Sequence, residues 1–188
     1  MLKKAEDDSV TVISVGPLTN IAQMLNANPD LFNKKVNSIV AMAGKFPKGK
    51  EFNIESDVEA AKTVFEKFRH IIVCSGFEIG AKIKTGFRNE HENNPVYDSY
   101  KLYVGGKEPP YMRESWDLTA VHYAFEGEGE FYSLSKPVSI TFDEDGHNFS
   151  THDKYSKHYY LITKAENEEI AGYLNSVLEG SNVDNNAE

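Results

Sequence analysis

The first 76 residues alternate between runs of apolar residues and segments with helical spacing. The runs cover residues 10–15, 38–43 and 70–75, and a glycine follows each of them. After the first run, the apolar residues between Leu18 and Leu25 lie at i, i+3, i+4 and i+7, which is one face of a helix. Because the runs are continuous and not alternating, they are typical of parallel strands buried on both faces. The pattern predicts an α/β fold with an open, mostly parallel sheet and flanking helices.

Two capping-box patterns predict where further helices begin. Ser56 is followed by Glu59, and Thr163 is followed by Glu166, which is the spacing of reciprocal capping between a side chain and the first helical turn. Another helix is expected to start near residues 115–117, because apolar residues again recur there at helical spacing.

The C-terminal part predicts a small antiparallel hairpin. Residues 138–142 alternate between apolar and polar, and Asp145-Gly146 after them is a hairpin turn signal. Residues 159–163 predict another short strand, which we expect in the same antiparallel and peripheral region.

The predicted parallel sheet is small for its class. The chain also begins almost directly with a strand that should lie inside the sheet. An unpaired strand leaves a row of backbone donors and acceptors open to another segment or chain. We therefore expect residues 1–180 to form a single α/β domain that is incomplete on its N-terminal side, and residues 181–188 to form a disordered tail.

Composition and charge exclude several classes of protein. The 188 residues carry 20 Lys and Arg against 29 Asp and Glu, a net charge of −9, so a nucleic-acid partner is not expected. The single cysteine, Cys74, cannot form an intramolecular disulfide. No apolar stretch approaches the roughly 18 residues that span a bilayer, and no signal peptide is recognisable. We expect a soluble chain without membrane contact, whose compartment the sequence leaves open.

Polar residues that follow the predicted strands are candidates for chemistry, because open α/β sheets bind ligands at the carboxyl ends of their strands. Glu51 and Asn53 follow the second strand, and Glu78 follows the third. In extended backbone, positions i and i+2 point to the same side, so the carboxylate and the amide could bind vicinal hydroxyls together. The alternative is that Glu51 and Asn53 only hydrogen-bond to local backbone before the next helix.

Trp116 and Asp117 are a second pair of candidates, at the start of a predicted helix. The helix macrodipole favours an aspartate at this position, and that explanation competes with a metal-binding role. Trp116 is the only tryptophan, and it could stack on a flat ligand or simply pack. The histidines show no spacing typical of metal ligands, and the catalytic residue is not identified by the sequence.

Three short stretches match one family pattern when they are taken in order. They are GPLTNIA at 16–22, MAG at 42–44, and EFNIESDVEAA at 51–61. Each lies at or after the end of a predicted strand. Together they resemble the C-terminal portion of the inosine-uridine-preferring nucleoside hydrolases over residues 10–76, and Ser-Trp-Asp at 115–117 extends the resemblance.

The resemblance implies a chemistry for the candidate residues. The family hydrolyses the N-glycosidic bond of nucleosides or related N-ribosides to base and ribose, with a calcium ion that anchors sugar hydroxyls and activates water. Such a reaction serves purine and pyrimidine salvage. By resemblance, the calcium ligands would be Asp117 and the backbone carbonyl of Val15. The substrate-binding residues would be Glu51, Asn53, Met42 and Trp116.

The sequence also departs from the family pattern. The Asp-rich N-terminal motif that supplies most calcium carboxylates is absent, and no asparagine lies in residues 43–50. Trp116 stands where better-known members have a histidine that protonates the departing base. One aspartate and one carbonyl are too few for calcium, which takes about 6 to 8 oxygens. Alone, the chain is therefore expected to be inactive.

Two hypotheses follow from these observations. In the first, the chain is part of a nucleoside hydrolase-like enzyme whose missing strands and aspartates come from an N-terminal segment or from a second chain. A homo-oligomer is also a possible partner arrangement. In the second, the chain is a non-catalytic remnant of that fold that serves in ligand binding or assembly. Neither hypothesis fixes the preferred base or sugar.

Overall fold

The computed structural model describes residues 2–91 and 93–180, so the predicted tail at 181–188 lies outside the described residues. None of the helices in the described ranges combines the length and the apolar character needed to cross a bilayer. The strands are β1 (Val10–Ser14), β2 (Val36–Met42), β3 (Lys48–Lys50), β4 (Ile71–Ser75), β5 (Lys84–Phe87), β6 (Tyr111–Glu114), β7 (Tyr132–Leu134), β8 (Val138–Phe142), β9 (His147–His152) and β10 (His158–Thr163). The α-helices are α1 (Thr19–Ala27), α2 (Pro29–Lys35), α3 (Phe52–Ser56), α4 (Val58–Lys67), α5 (Phe77–Gly80), α6 (Pro95–Val104), α7 (Trp116–Glu126) and α8 (Asn167–Leu178).

The central sheet contains the strands that the apolar runs predict. Its strand order is β1-β2-β4-β10-β7, in which the first four strands are parallel and β7 is antiparallel to β10. Val12 lies beside Ile39, and Ile39 lies beside Ile72. Two smaller antiparallel sheets have the orders β3-β9-β8 and β5-β6. The prediction of an open, mostly parallel sheet with flanking helices is confirmed.

Both faces of the central sheet are buried, because alternate residues of its inner strands belong to different cores. Ile39 and Ala41 pack in a core with α1 and α4, whereas Val40 and Met42 pack in a second core with α7 and α8. These four side chains are at most 4% exposed. Burial on both faces explains why these strands are continuous apolar runs in the sequence.

The last strand, β10, does not lie where the sequence predicts it. The peripheral position predicted for residues 159–163 is wrong, because β10 lies inside the central sheet, where residues 158–160 pair in parallel with β4 and place Tyr159 beside Val73. The antiparallel pairing holds for residues 161–163, which pair with β7. Leu161 on β10 is fully buried in the second core. The local pattern indicates a strand but not its partner, which is selected by packing between residues far apart in sequence.

The first predicted capping box is displaced by one residue. Helix α4 begins at Val58, and its cap is Asp57, whose carboxylate accepts the Ala60 N–H at 3.0 Å. Ser56 instead ends the short helix α3 and donates its hydroxyl to the Phe52 carbonyl. The prediction fails because Ser56 is already the last residue of α3 and so cannot cap the helix that follows.

The second predicted capping box is displaced by one helical turn. Thr163 is the last residue of β10, where it pairs with Tyr132. Helix α8 is instead capped by Glu166 in a reciprocal box with Glu169. Pairing in the sheet therefore takes precedence over the local capping signal at Thr163.

The predicted C-terminal hairpin is confirmed. Strands β8 and β9 pair in antiparallel fashion across a turn that contains Gly146 at φ +82°. Asn148 on β9 is fully buried, and its side-chain amide accepts the Lys45 N–H at 2.7 Å and donates to the Lys45 carbonyl at 2.9 Å. Through this pair of bonds the hairpin holds the loop that follows β2.

Strand β1 is an outer strand of the central sheet. Among the described strands it pairs only with β2, and Val12 and Ile13 on it are only partly buried. A domain that continues on this side stays a prediction.

Two inward-facing histidines predict that the fold loses stability in mild acid. Burial lowers the pKa of His122, against a smaller opposite effect from Glu126, and burial also lowers the pKa of His158. The unfolded chain therefore binds protons more readily than the folded chain. Above about pH 6.5, the ordinary pKa of histidine, both side chains are neutral in the folded and in the unfolded chain, and stability does not depend on their titration. As the pH falls below about 6.5 toward their lower pKa values in the folded chain, the unfolded chain gains protons first and the free energy of unfolding decreases.

We expect the free energy of unfolding, measured by urea titration, to be lower at about pH 5.5 than at pH 7.5, by up to about 1.4 kcal/mol per histidine for each unit of pKa difference. The double variant His122→Gln/His158→Gln should show a smaller decrease. The exposed His152→Gln serves as the control. An unchanged pH dependence in the double variant would contradict this explanation.

Candidate functional site

The carboxyl ends of β1, β2 and β4 lie side by side, as parallel strands require. We call this row of strand ends the sheet edge. The residues that the sequence singles out follow these ends or begin α7, which packs across β1, β2 and β4. They are Val15, Met42, Glu51, Asn53, Glu78, Trp116 and Asp117.

Glu51 is a buried carboxylate surrounded by backbone N–H groups. It accepts hydrogen bonds from Gly44 at 3.1 Å, from Asn53 at 2.8 Å and from Ile54 at 3.3 Å, and it is 5% exposed. The sequence premise that Glu51 and Asn53 share an extended segment is wrong, because helix α3 begins at Phe52 and Glu51 caps it. The alternative that Glu51 bonds to local backbone describes these contacts correctly.

Opposing effects act on the pKa of Glu51, and together they raise it above the ordinary glutamate value. Burial raises the pKa of this carboxyl group most strongly, the three backbone N–H groups lower it, and the negative charge of Asp117 raises it further. Asp117 lies in the first turn of α7, whose Thr119 bonds to Ser75, and Ser75 pairs with Met42, the residue whose carbonyl Asn53 binds. The structure thus brings Glu51 and Asp117, which are 66 positions apart in sequence, to the same region of the sheet edge.

Asn53 connects this turn to the end of β2. Its Nδ2 donates to the Met42 carbonyl at 2.9 Å and lies 3.2 Å from the Met42 Sδ. Asn53 is 8% exposed and Met42 is 4% exposed. The Asn53 Oδ1 accepts no hydrogen bond from any residue in the described ranges. Three predicted residues, Glu51, Asn53 and Met42, therefore form one connected and nearly buried group.

The start of α7 is fixed by contacts that sequence reasoning missed. The Ser115 N–H donates to the carbonyls of Gly80 and Ile83 at 3.2 and 3.0 Å. The hydroxyls of Ser75 and Thr119 share a buried hydrogen bond of 2.8 Å, which joins the end of β4 to the first turn of α7. These bonds set the position of Trp116 and Asp117. Of the residues in these contacts, the sequence draws attention only to Ser75, because a small polar residue there ends an apolar strand.

Gly80 allows this close approach of α5 and α7. A Cβ at Gly80 would lie 2.3 Å from the Trp116 Cα and 2.6 Å from its backbone nitrogen. Any side chain at this position would displace the backbone that carries Trp116 and Asp117.

Trp116 makes the contacts of a packing residue. Its Nε1 donates to the Phe77 carbonyl at 3.0 Å, and its ring stacks on the Phe77 ring with centroids 5.6 Å apart. Its indole N–H is therefore already engaged. A substrate contact of Trp116 stays a prediction, which would involve the part of the ring that faces solvent.

Asp117 and Val15 are the predicted metal ligands. Asp117 is exposed, and partial burial raises its pKa while the nearby positive charge of Arg113 lowers it. Val15 directly follows β1 and is 45% exposed. Across the described ranges no group of three or more His, Cys, Asp or Glu side chains could hold a metal ion. These residues alone do not fit calcium, because one carboxylate and one carbonyl fall short of its usual coordination.

Trp116 and Asp117 line a cavity of about 190 Å³ beside the start of α7. Its lining does not include Glu51, Asn53 or Met42. The other lining residues are Ser99, Tyr100, Arg113, Glu114, Ser115 and Leu118. The predicted residues therefore form two neighbouring groups, one around Glu51 and one around Asp117.

The carboxylate of Glu78 also binds the loop after β2. Its Oε2 accepts the Phe46 N–H at 3.0 Å, and burial raises its pKa, while the bonded N–H groups and two lysines lower it. The negative charges of Glu78 and Glu51 both raise the pKa of the buried Cys74 thiol, after the larger effect of burial. Glu51 and Glu78 therefore both bind backbone N–H groups of the loop after β2, at Gly44 and at Phe46.

Replacing Glu51 tests its structural role. Glu51→Gln keeps the size of the side chain but exchanges one accepting oxygen for a donor that faces backbone N–H groups. We expect the free energy of unfolding in urea to fall by about 1 to 3 kcal/mol. The matched control is Glu55→Gln, since Glu55 forms an exposed pair with Lys50 at 2.7 Å and such pairs contribute about 0 to 1 kcal/mol. Equal losses for the two variants would contradict the role of Glu51.

Comparison with known proteins relates this geometry to a family. The profile of the inosine-uridine preferring nucleoside hydrolases matches residues 1–163. The pyrimidine-specific ribonucleoside hydrolase RihA of Enterobacter sp. (strain 638) is 39% identical over 76 residues, which cover 38% of this chain and 24% of that protein. This chain therefore matches only about a quarter of the length of that curated relative.

Solved structures share the fold. A plant nucleoside hydrolase, PpNRh1, superposes with a TM-score of 0.66 at 19% identity, covering 92% of this chain and 62% of that one. An inosine-guanosine nucleoside hydrolase superposes with a TM-score of 0.68 at 22% identity, covering 95% of this chain and 65% of that one. Since the family profile matches most of its length, the chain belongs to the inosine-uridine preferring nucleoside hydrolase family.

Proposed function

We propose that this chain forms one side of an active site that hydrolyses the N-glycosidic bond of nucleosides or related N-ribosides to base and ribose. The remaining carboxylates would come from an N-terminal segment or from a second chain, including a second copy of this one. The observation that carries the proposal is the buried group of Glu51, Asn53 and Met42 at the same sheet edge as Asp117.

The group around Glu51 has the chemistry to bind a ribose. Glu51 Oε1 accepts a single hydrogen bond, from Asn53, among the described residues, so it has room to accept a sugar hydroxyl. Asn53 Oδ1 offers a second acceptor beside it. Both side chains are held by backbone contacts, so little conformational entropy would be lost when the sugar binds.

Negative charge at this edge favours the transition state of the reaction. As the bond between the anomeric carbon and the base nitrogen breaks, positive charge develops on the sugar ring. The carboxylates of Glu51 and Asp117 would stabilise that charge more strongly than they stabilise the neutral substrate. The indole N–H of Trp116 does not ionise near neutral pH and cannot protonate the departing base. The proposal therefore assigns no general acid among the described residues.

A calcium ion belongs to the proposal through the family. Asp117 and the carbonyl of Val15 are the described groups that would contact it, and the other oxygens would come from outside the described ranges. When bound, the ion would orient sugar hydroxyls and lower the pKa of a water molecule. The exposed edge of β1 is where an added strand would extend the sheet and carry further ligands.

A non-catalytic role is the second candidate. The hydrogen bonds of Glu51 to three backbone N–H groups and of Trp116 to Phe77 are contacts that a purely structural remnant would also retain. Such a remnant would bind a ligand or a partner chain without hydrolysis.

Ribose release discriminates between the two candidates. The chain would be assayed with inosine and uridine, alone and together with a polypeptide that carries the family's Asp-rich N-terminal motif, in calcium or in a calcium chelator. We expect release only from the combination with calcium. We also expect Asp117→Asn to reduce it by roughly 10²-fold or more, as the loss of one charge-stabilising group does in other enzymes.

The matched control is Asp98→Asn, on the exposed face of α6. Release that does not depend on Asp117 would contradict the proposed site. No release from any combination would support the non-catalytic role.

A further inference from the structure

Arg113 occupies a distinctive position beside the proposed site. It lies on β6 next to Thr85 of β5, and it lines the cavity that Trp116 and Asp117 also line. The centre of its guanidinium group lies 4.0 Å from the centroid of the Tyr103 ring, so the aromatic face holds the side chain in place.

The guanidinium group of Arg113 forms no hydrogen bond and no ion pair with any residue in the described ranges. Two carboxylates line the same cavity, but among the residues that the structure describes neither has an oxygen within 4.0 Å of a guanidinium nitrogen. Glu114 is instead paired with Lys84 at 3.4 Å. The guanidinium group has five N–H donors in a planar fork, which matches the two oxygens of a carboxylate.

The remaining walls suit a small planar ring. Trp116 and Tyr100 contribute aromatic surface to the cavity, and the Tyr100 hydroxyl is bonded to Thr85 at 2.9 Å. A volume of about 190 Å³ is below the roughly 300 Å³ at which pockets for drug-sized ligands begin. The cavity therefore suits a single heterocycle rather than a whole nucleoside.

The cavity also adjoins the proposed sugar site. Trp116 and Asp117 lie in the first turn of α7, and Thr119 of the same turn shares a hydrogen bond of 2.8 Å with Ser75. Ser75 pairs with Met42, whose carbonyl accepts the Asn53 amide. A riboside with its sugar at the Glu51 group would direct its base toward this cavity.

We propose that the cavity holds the departing base, and that Arg113 selects N-ribosides whose base is a pyridine-type ring bearing a carboxylate. This inference rests on the proposed function and adds the substrate class. Arg113 would bind the ring carboxylate with two parallel N–H···O bonds, while Trp116 and Tyr100 flank the ring.

This class of base departs without a general acid. In such a riboside the ring nitrogen is a cation, and when the bond to the anomeric carbon breaks, the electron pair goes to that nitrogen and makes it neutral. The water oxygen forms the new bond to the anomeric carbon and gives up one proton to solvent. The products are ribose and the ring carboxylate, so no proton has to reach the base. A chain with Trp116 in place of an acid is suited to this reaction.

Binding of free bases tests the inference without any need for hydrolysis. The full chain would be titrated with nicotinate and with nicotinamide, which carry a carboxylate and a carboxamide on the same ring, and with isonicotinate and isonicotinamide as a second acid and neutral pair. Calorimetry would give the affinities, and fluorescence of Trp116, the only tryptophan, would report occupancy of the cavity. We expect each acid to bind at least about tenfold more tightly than its neutral partner.

Variants of Arg113 provide the decisive comparison. Arg113→Gln should remove the preference for the acids, and Arg113→Lys should retain part of it because a point charge remains without the planar fork. Arg69→Gln, at a side chain that is 69% exposed and 3.9 Å from Asp30, is the matched control and should keep the full preference. Equal binding of acids and neutral bases by the wild-type chain, or a preference that survives in Arg113→Gln, would overturn the inference.

Ribose release separates this inference from the proposed function. If acids bind through Arg113 but no riboside is cleaved in any combination, the base site stands and the hydrolase assignment fails. If ribosides are cleaved but the acidic bases have no advantage in binding, the hydrolase assignment stands and this inference fails.

Discussion

The carboxylate of Glu51 is the interaction on which the sheet edge depends. It accepts N–H groups from Gly44, in the turn after β2, and from Asn53 and Ile54, in the first turn of α3. A carboxylate at this depth without such partners would cost several kcal/mol, so the turn, the helix and the charge require one another. Asn53 then connects the same unit to Met42 at the end of β2, and Met42 pairs with Ser75, which bonds to Thr119 in the same helical turn as Asp117.

Much of the fold could be predicted because its main signals are local. The apolar runs of β1, β2 and β4 and the helical spacing of α1 and α4 reflect burial on one or both faces, and the structure confirms them. The partner of β10 could not be predicted, because its pairing with β4 depends on packing between segments about 85 residues apart. The caps at Asp57 and Glu166 could not be predicted, because Ser56 and Thr163, which carry the local capping signals, belong to α3 and to β10.

The candidate site was predictable in position but not in its contacts. Strand ends identified Glu51, Asn53 and Met42, and the structure joins them by hydrogen bonds. Bonding of Glu51 to local backbone was an alternative that the sequence offered, and it covers the contacts to Asn53 and Ile54. The third contact, to Gly44, depends on how the chain folds back between residues 44 and 51. Gly80 and Arg113 were missed for a similar reason. The close approach of Gly80 to Trp116, and an Arg113 guanidinium that no described residue pairs with, exist only after α5, α7 and the antiparallel pair of β5 and β6 pack together.

The central claim is that one carboxylate holds three amides and thereby orders the sheet edge. Amide nitrogen and proton chemical shifts of Gly44, Asn53 and Ile54, followed by NMR as the pH is lowered, test it most directly. If Glu51 binds all three, their shifts change together with one shared midpoint, which lies above the ordinary glutamate pKa of about 4.3 because burial raises it. Separate midpoints for the three amides, or a Gly44 amide that does not respond while Glu51 titrates, would contradict the account.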